Sequence, residues 1–230
     1  MSVPSREIRA LYDSETITVY QAYSPAVAEP AAAGGRFSAG YSRDRMTWIK
    51  PSFLWMMYRS SWGTAVGQER VLAIRIRRDG FEWALAHSAL SSYDSHVHAS
   101  RDAWKRDMRH SPVRVQWDPE RDLDLRPTPP RSLQVGLRAE ASHRYADEWT
   151  VGIDDVTELA HEIHELTRTG SRTQAAHLLP TERPYPLPGP LVSRIAASPA
   201  AAQGPEDAPP GPRVGRPPGR VVRRVTEGGR

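Results

Sequence analysis

The run Arg70-Val-Leu-Ala-Ile-Arg-Ile-Arg77 alternates in character and closes on Asp79-Gly80. Leu72, Ile74 and Ile76 fall on one side of an extended chain and Arg75 and Arg77 on the other, which is the period-two pattern of a half-buried β-strand. Two further strands are predicted upstream, at Ile8–Tyr12 and Thr16–Tyr23, both rich in β-branched and aromatic residues and separated by Asp13-Ser-Glu15. Ser24-Pro25 then reads as the cap and first residue of a short helix that stops at Gly34-Gly35, and Pro51–Ser60 as a buried helix. Downstream, the pattern predicts a helix over Phe81–Leu90, strands over Val113–Trp117 and Ser132–Leu137, and a helix from an Asp154 cap to Arg168. The order β-β-α-α-β-α-β-β-α with no internal repeat predicts one α+β domain over residues 5–195, with helices on a mixed, mainly antiparallel sheet.

Composition sets the outer limits. Of 230 residues, 39% are hydrophobic and 25% charged, enough apolar material for a core. No apolar run reaches the length of a membrane span, and Met1–Ala10 carries three charged residues and no apolar stretch, so a cytoplasmic chain with no membrane partner is expected. The absence of cysteine excludes disulfides, thiolate metal sites and cysteine nucleophiles. The net charge of +4 is uneven: Ala196–Arg230 holds six Arg against three acidic residues, with seven Pro and six Gly. This segment is expected to be a disordered tail, and the body before it is nearly neutral. Between them, Leu178–Pro188 reads as an extended, proline-rich strap.

The chemistry must therefore run on oxygen and nitrogen groups. His161 and His164 are three residues apart rather than four, with the core residue Ile163 between them, so no metal site is expected. Phosphate-binding glycine loops and nucleophile elbows are absent. Two segments stand out. Tyr20-Gln-Ala-Tyr23 ends a strand just before a helix N-terminus, a natural place for an anion, although an ordinary β–α corner would read the same way. Ser42–Trp62 interleaves three Trp with Arg43, Arg45, Lys50 and Arg59, a mixture suited to stacking a base while holding phosphate, or simply to a core helix entered through a basic loop. Gln134, Gly136 and Arg138 share a strand face that suits either a cleft wall or solvent.

Several long stretches carry a resemblance: Val19-Tyr-Gln-Ala-Tyr-Ser24, Asp44-Arg-Met-Thr-Trp-Ile-Lys-Pro-Ser-Phe-Leu-Trp55, Gln68–Ile74, Gly80–Leu85, Val115–Arg121 and Leu179–Leu187. On these the chain resembles an uncharacterised family catalogued as domain of unknown function 4291, over roughly Ser5–Ile195. A looser likeness, carried by Tyr20-Gln-Ala-Tyr-Ser-Pro and Gly35-Arg-Phe37, is to ADP-ribosyltransferase-like folds. It implies NAD as cofactor, with Gln21 and Tyr23 at the nicotinamide riboside and Arg43, Arg45 and Thr47 on the phosphate side. Arg9, Tyr20, Lys50 and Arg138 complete the expected binding set. Gln134 would stand where that superfamily often has a catalytic Glu; an amide is no base, so Glu69 or Glu120 would have to supply a carboxylate. The implied activity is ADP-ribosyl transfer to a macromolecular acceptor, nucleic acid or protein. The competing expectation is a non-enzymatic nucleotide or single-stranded nucleic-acid binding module.

Overall fold

The computed structural model describes residues 6–198. In chain order the elements are β1 (Arg9–Ala10), β2 (Thr16–Tyr23), α1 (Pro25–Gly34), β3 (Thr47–Ile49), α2 (Phe53–Ser60), β4 (Arg70–Arg77), α3 (Arg78–Ala86), β5 (Ser88–Leu90) and α4 (Arg101–His110). There follow β6 (Val113–Arg121), β7 (Pro127–Leu137), α5 (Glu140–Arg144), a π-helical turn (Tyr145–Trp149), β8 (Thr150–Asp155), α6 (Thr157–Arg168), α7 (Arg172–Leu178), β9 (Arg183–Pro184) and α8 (Gly189–Arg194). The strands make three sheets, β2-β4-β8, β3-β7-β6-β5 and the ribbon β1-β9; pairing is antiparallel except between β5 and β6. This is an α+β domain. The tail expected from 196 onward lies outside the described residues apart from its first three.

The Arg70–Arg77 strand sits at the centre of its sheet, and both of its faces are used. Ile17 and Val19 of β2 pair with Ile76 and Ile74 of β4, facing the main core with Phe81, Val135 and Tyr145. The opposite face offers Tyr20 and Val71 to a second cluster built by Phe53 and Met57 of α2 and Ala160 and Ile163 of α6. The apolar row Ile17, Val19 on β2 continues into Gln21 and Tyr23. A backbone bridge fixes the next contact: the Tyr20 N–H donates to the Lys50 carbonyl at 2.7 Å and the Lys50 N–H to the Tyr20 carbonyl at 3.3 Å. That bridge joins the two larger sheets and sets β3 beside the polar end of β2.

Local readings needed correction where tertiary contacts override them. Asp79-Gly80 ends β4 but lies inside α3, because Trp149 rests against the Gly80 Cα where any side chain would collide with the indole. The helix then stops at Ala86, and Ser88–Leu90 pairs with β6 as a strand. Asp118-Pro-Glu120, a turn by composition, continues β6, with the pairing irregularity falling between Pro119 and Arg121. Asp154 belongs to β8, and the carboxylate that receives the first N–H of α6 is Asp155, at 2.9 Å from Thr157 N. The strap does lie extended, β9 pairing with β1 and Tyr185 buried in the main core. Among the described residues no helix is long and apolar enough to cross a membrane.

Candidate functional site

The polar end of β2 meets β3 over a buried amide. Gln21, 4% exposed, donates from Nε2 to Thr47 Oγ1 at 2.6 Å and to the Trp48 carbonyl at 3.1 Å, and its Oε1 accepts from the Tyr145 hydroxyl at 2.7 Å. Tyr23 Oη lies 3.2 Å from Thr47 Oγ1. Burial pushes the Tyr23 and Tyr145 phenols well above their usual range, so both stay protonated. Replacing Tyr145 by Phe should leave the buried Oε1 of Gln21 without its donor and lower stability by about 1–3 kcal/mol. Urea denaturation measures this, and an unchanged midpoint would show that Gln21 is satisfied some other way.

Above this latch opens a cleft of about 450 Å³, lined by Gln21, Tyr23, Arg45, Thr47, Lys50 and Arg59 with an apolar margin of Val27, Met46 and Met56. Among the described residues no Asp or Glu lines it. Arg45 and Arg59 make neither an ion pair nor a hydrogen bond among the described residues, so two guanidinium forks face the opening unneutralised. A second chamber of about 360 Å³ lies across Trp48, Lys50 and Arg59, which line both spaces. Trp55 and Tyr58 wall it on one side, their rings stacked at 5.1 Å, and Gln116, Asp118 and Gln134 on the other. Gln116 and Gln134 are register partners, and each donates its Nε2 to one oxygen of Asp118, at 2.9 and 2.7 Å. The Trp48 indole reaches this wall because position 136 is glycine: a Cβ there would stand 2.9 Å from the ring.

Several expected residues lie elsewhere. Arg43 turns from the cleft to grip Asp147, with Nε at 2.9 Å and Nη2 at 2.6 Å. Arg9 is held at the β1-β9 ribbon by Glu7 and the Glu182 carbonyl. The Arg138 guanidinium donates to the Arg109 and Ser111 carbonyls at the C-terminal end of α4. The Tyr20 side chain packs edge-on against Phe53 in the second core cluster. Glu69 accepts from the Gly67 N–H, and Glu120 from Ser52 Oγ and the Arg121 N–H, so neither carboxylate lines the cleft. Gln134 belongs to the second chamber rather than to the Gln21 cleft. Gln116 and Asp118 were missed from sequence, while Trp48 and Tyr58 fall in the Ser42–Trp62 stretch singled out for stacking but were not placed in a second chamber. The alternation Gln116, Asp118 along β6 was a signal, hidden because Asp-Pro reads locally as a turn. His164 stacks on Trp62 at 5.1 Å, and no group of three metal-ligating residues forms among the described residues.

An α+β domain with a cationic cleft joined to an aromatic, amide-lined chamber is thus the class that fold and site define. Residues 7–185 match the family model described as Domain of unknown function (DUF4291), and the chain belongs to that family. No curated protein matches it.

Proposed function

We propose that the Gln21 cleft binds a pyrophosphate-bearing nucleotide of the NAD type and that the protein is an ADP-ribosyltransferase-like enzyme acting on a macromolecular acceptor. The observation that carries this reading is the pairing of unneutralised Arg45 and Arg59 with Lys50 in a cleft without carboxylates. The two guanidinium charges of Arg45 and Arg59 on one concave wall suit the two charges of a pyrophosphate, and low-dielectric walls strengthen that attraction. Tyr23, Val27 and Met46 offer an apolar margin for a ring. NAD, when bound, supplies a ribosyl carbon whose bond to nicotinamide can be exchanged for one to the acceptor. The Gln21 amide, with three partners already, serves this cleft by fixing Thr47 and Trp48 rather than by reaching for the ligand.

The test is direct. NAD and ADP should each raise the melting temperature of the full chain, and labelled NAD should mark a DNA, RNA or protein acceptor. Neither stabilisation nor transfer would reject the proposal. The exposed Tyr58 at the second chamber, with the Arg121 guanidinium 3.6 Å from its ring centre, also favours a second reading as a plain single-stranded nucleic-acid binder. That module would lose affinity steeply with salt and show no response to NAD.

A further inference from the structure

Lys50 stands in the wall between the two spaces, and its chemistry is not that of the cations around it. It is 5% exposed, its backbone is clamped to Tyr20 in both directions, and its Nζ donates to the Trp48 carbonyl at 3.2 Å. It makes no salt bridge with any described residue. The chain writes Arg at all but two of its 31 basic positions. The other lysine, Lys105, is exposed on α4. Arginine stays charged at any pH a protein meets, whereas lysine can give up its proton when buried. Where a permanent cation suffices, as at Arg45 and Arg59, this chain uses Arg; the enclosed position between the chambers is lysine.

We propose that Lys50 is the catalytic base of this site, accepting the proton of a planar, amino- or hydroxyl-bearing acceptor seated against Trp48 and Tyr58 in the second chamber. The charged groups that face it are Arg59 from α2 and Asp118 from β6, while β2 presents the neutral Gln21 and Tyr23. Burial and then Arg59 push the Lys50 ammonium down to about 7, with Asp118 opposing them. The amine is therefore available near neutrality, which suits a general base. The chamber matches a nucleobase-like heterocycle: aromatic walls for its faces, and the Asp118 carboxylate with the Gln116 and Gln134 amides for its edge. Because no carboxylate lines the Gln21 cleft, the amine is the one group that can take a proton while touching both spaces.

The identity of the step rests on the reading in the previous section. As the acceptor's electron pair forms a bond to the ribosyl carbon, the bond from that carbon to nicotinamide breaks and its electron pair leaves with nicotinamide. The acceptor's proton passes to Lys50 Nζ, which later returns it to water.

The experiment is competitive labelling of the full chain with acetic anhydride from about pH 5 to about pH 11, read peptide by peptide, with Lys105 as internal reference. Lys50 should become reactive with a midpoint of about 7. Saturating guanosine or cytidine should slow the labelling of Lys50 and leave Lys105 unaffected. In the second arm, Lys50→Arg should keep its stabilisation by ADP while losing transfer by about 100-fold or more. Four results would each overturn the proposal: Lys50 titrating as a free lysine at about 10.4, Lys50 unreactive at every pH, Lys50 unprotected by nucleosides, or Lys50→Arg transferring like the wild type. If the wild type transfers nothing from NAD, the ADP-ribosyl reading fails, and the labelling and protection results still decide whether Lys50 is a free amine facing an acceptor chamber.

Discussion

Arg59→Glu should abolish stabilisation by ADP or NAD, weakening binding by about 100-fold or more, whereas Arg43→Ala should leave it unchanged. Arg59 lines both spaces and has no carboxylate partner among the described residues, so reversing its sign removes a charge-assisted contact worth about 1.5–3 kcal/mol and adds repulsion in its place. Arg43, by contrast, spends its fork on Asp147 at the surface, a pair whose loss should change stability by roughly 1 kcal/mol at most. Arg59→Glu carries a second signature. Arg59 is one of the groups holding the Lys50 ammonium down, so the labelling midpoint of Lys50 should rise in this variant. Isothermal titration with ADP measures the first effect, and an Arg59→Glu protein that binds ADP as the wild type does would move the nucleotide site out of this cleft.

The contrast between Arg43 and Arg59 shows what the sequence could and could not tell. Both sit in the same basic, aromatic stretch, and composition treats them alike. Their roles separate only because Asp147, over a hundred residues away, arrives on the π-helical turn to neutralise one of them. The strand pattern was more legible. Arg70–Arg77, read from its alternation, and Thr16–Tyr23, read from its β-branched and aromatic residues, form over the predicted ranges, since both signals are local. Helix α4 went unread because Arg101-Asp-Ala-Trp-Lys-Arg-Asp-Met-Arg-His110 is mostly charged, buries none of its residues fully and confines its apolar side to Ala103, Trp104 and Met108. Strand β3 went unread because three residues, Thr47-Trp-Ile49, carry too short a pattern; they are a strand by virtue of β7, where Gly136 leaves room for Trp48. Gln21, Tyr23, Arg45, Thr47 and Lys50 do share one cleft. The second chamber is a product of register, Gln116 opposite Gln134, and no single segment carries it.

Glu182→Gln should convert a pH-sensitive fold into a flatter one. The Glu182 carboxyl, carried by the strap, accepts from the Phe53 N–H at 2.6 Å at the start of α2, where Glu120 also bonds Ser52 Oγ at 2.9 Å. Burial above all, with help from Glu120, pushes Glu182 up to about 8. Its folded-state value thus lies above the unfolded one, so the folded chain binds the extra proton between about 4.5 and about 8. The stability this contributes is fully present below the lower value and is lost as pH rises through the upper one. Glutamine keeps the acceptor for Phe53 and carries no charge, so the variant should match the wild type near pH 5 and exceed it by roughly 1–3 kcal/mol above pH 8. Lys50 slopes the other way: its value is lowered to about 7 from 10.5, so the cost of its burial is full below 7 and fades toward 10.5. Glu182→Gln removes the first slope and leaves the second, and denaturant titrations at several pH values distinguish them. The consequence reaches the site, because α2 carries Trp55, Tyr58 and Arg59: ionising Glu182 leaves a buried charge at the start of the helix that lines both spaces. Equal pH dependence in the wild type and Glu182→Gln would mean that the strap carboxyl ionises as freely when folded as when unfolded, and would remove it as the source of that coupling.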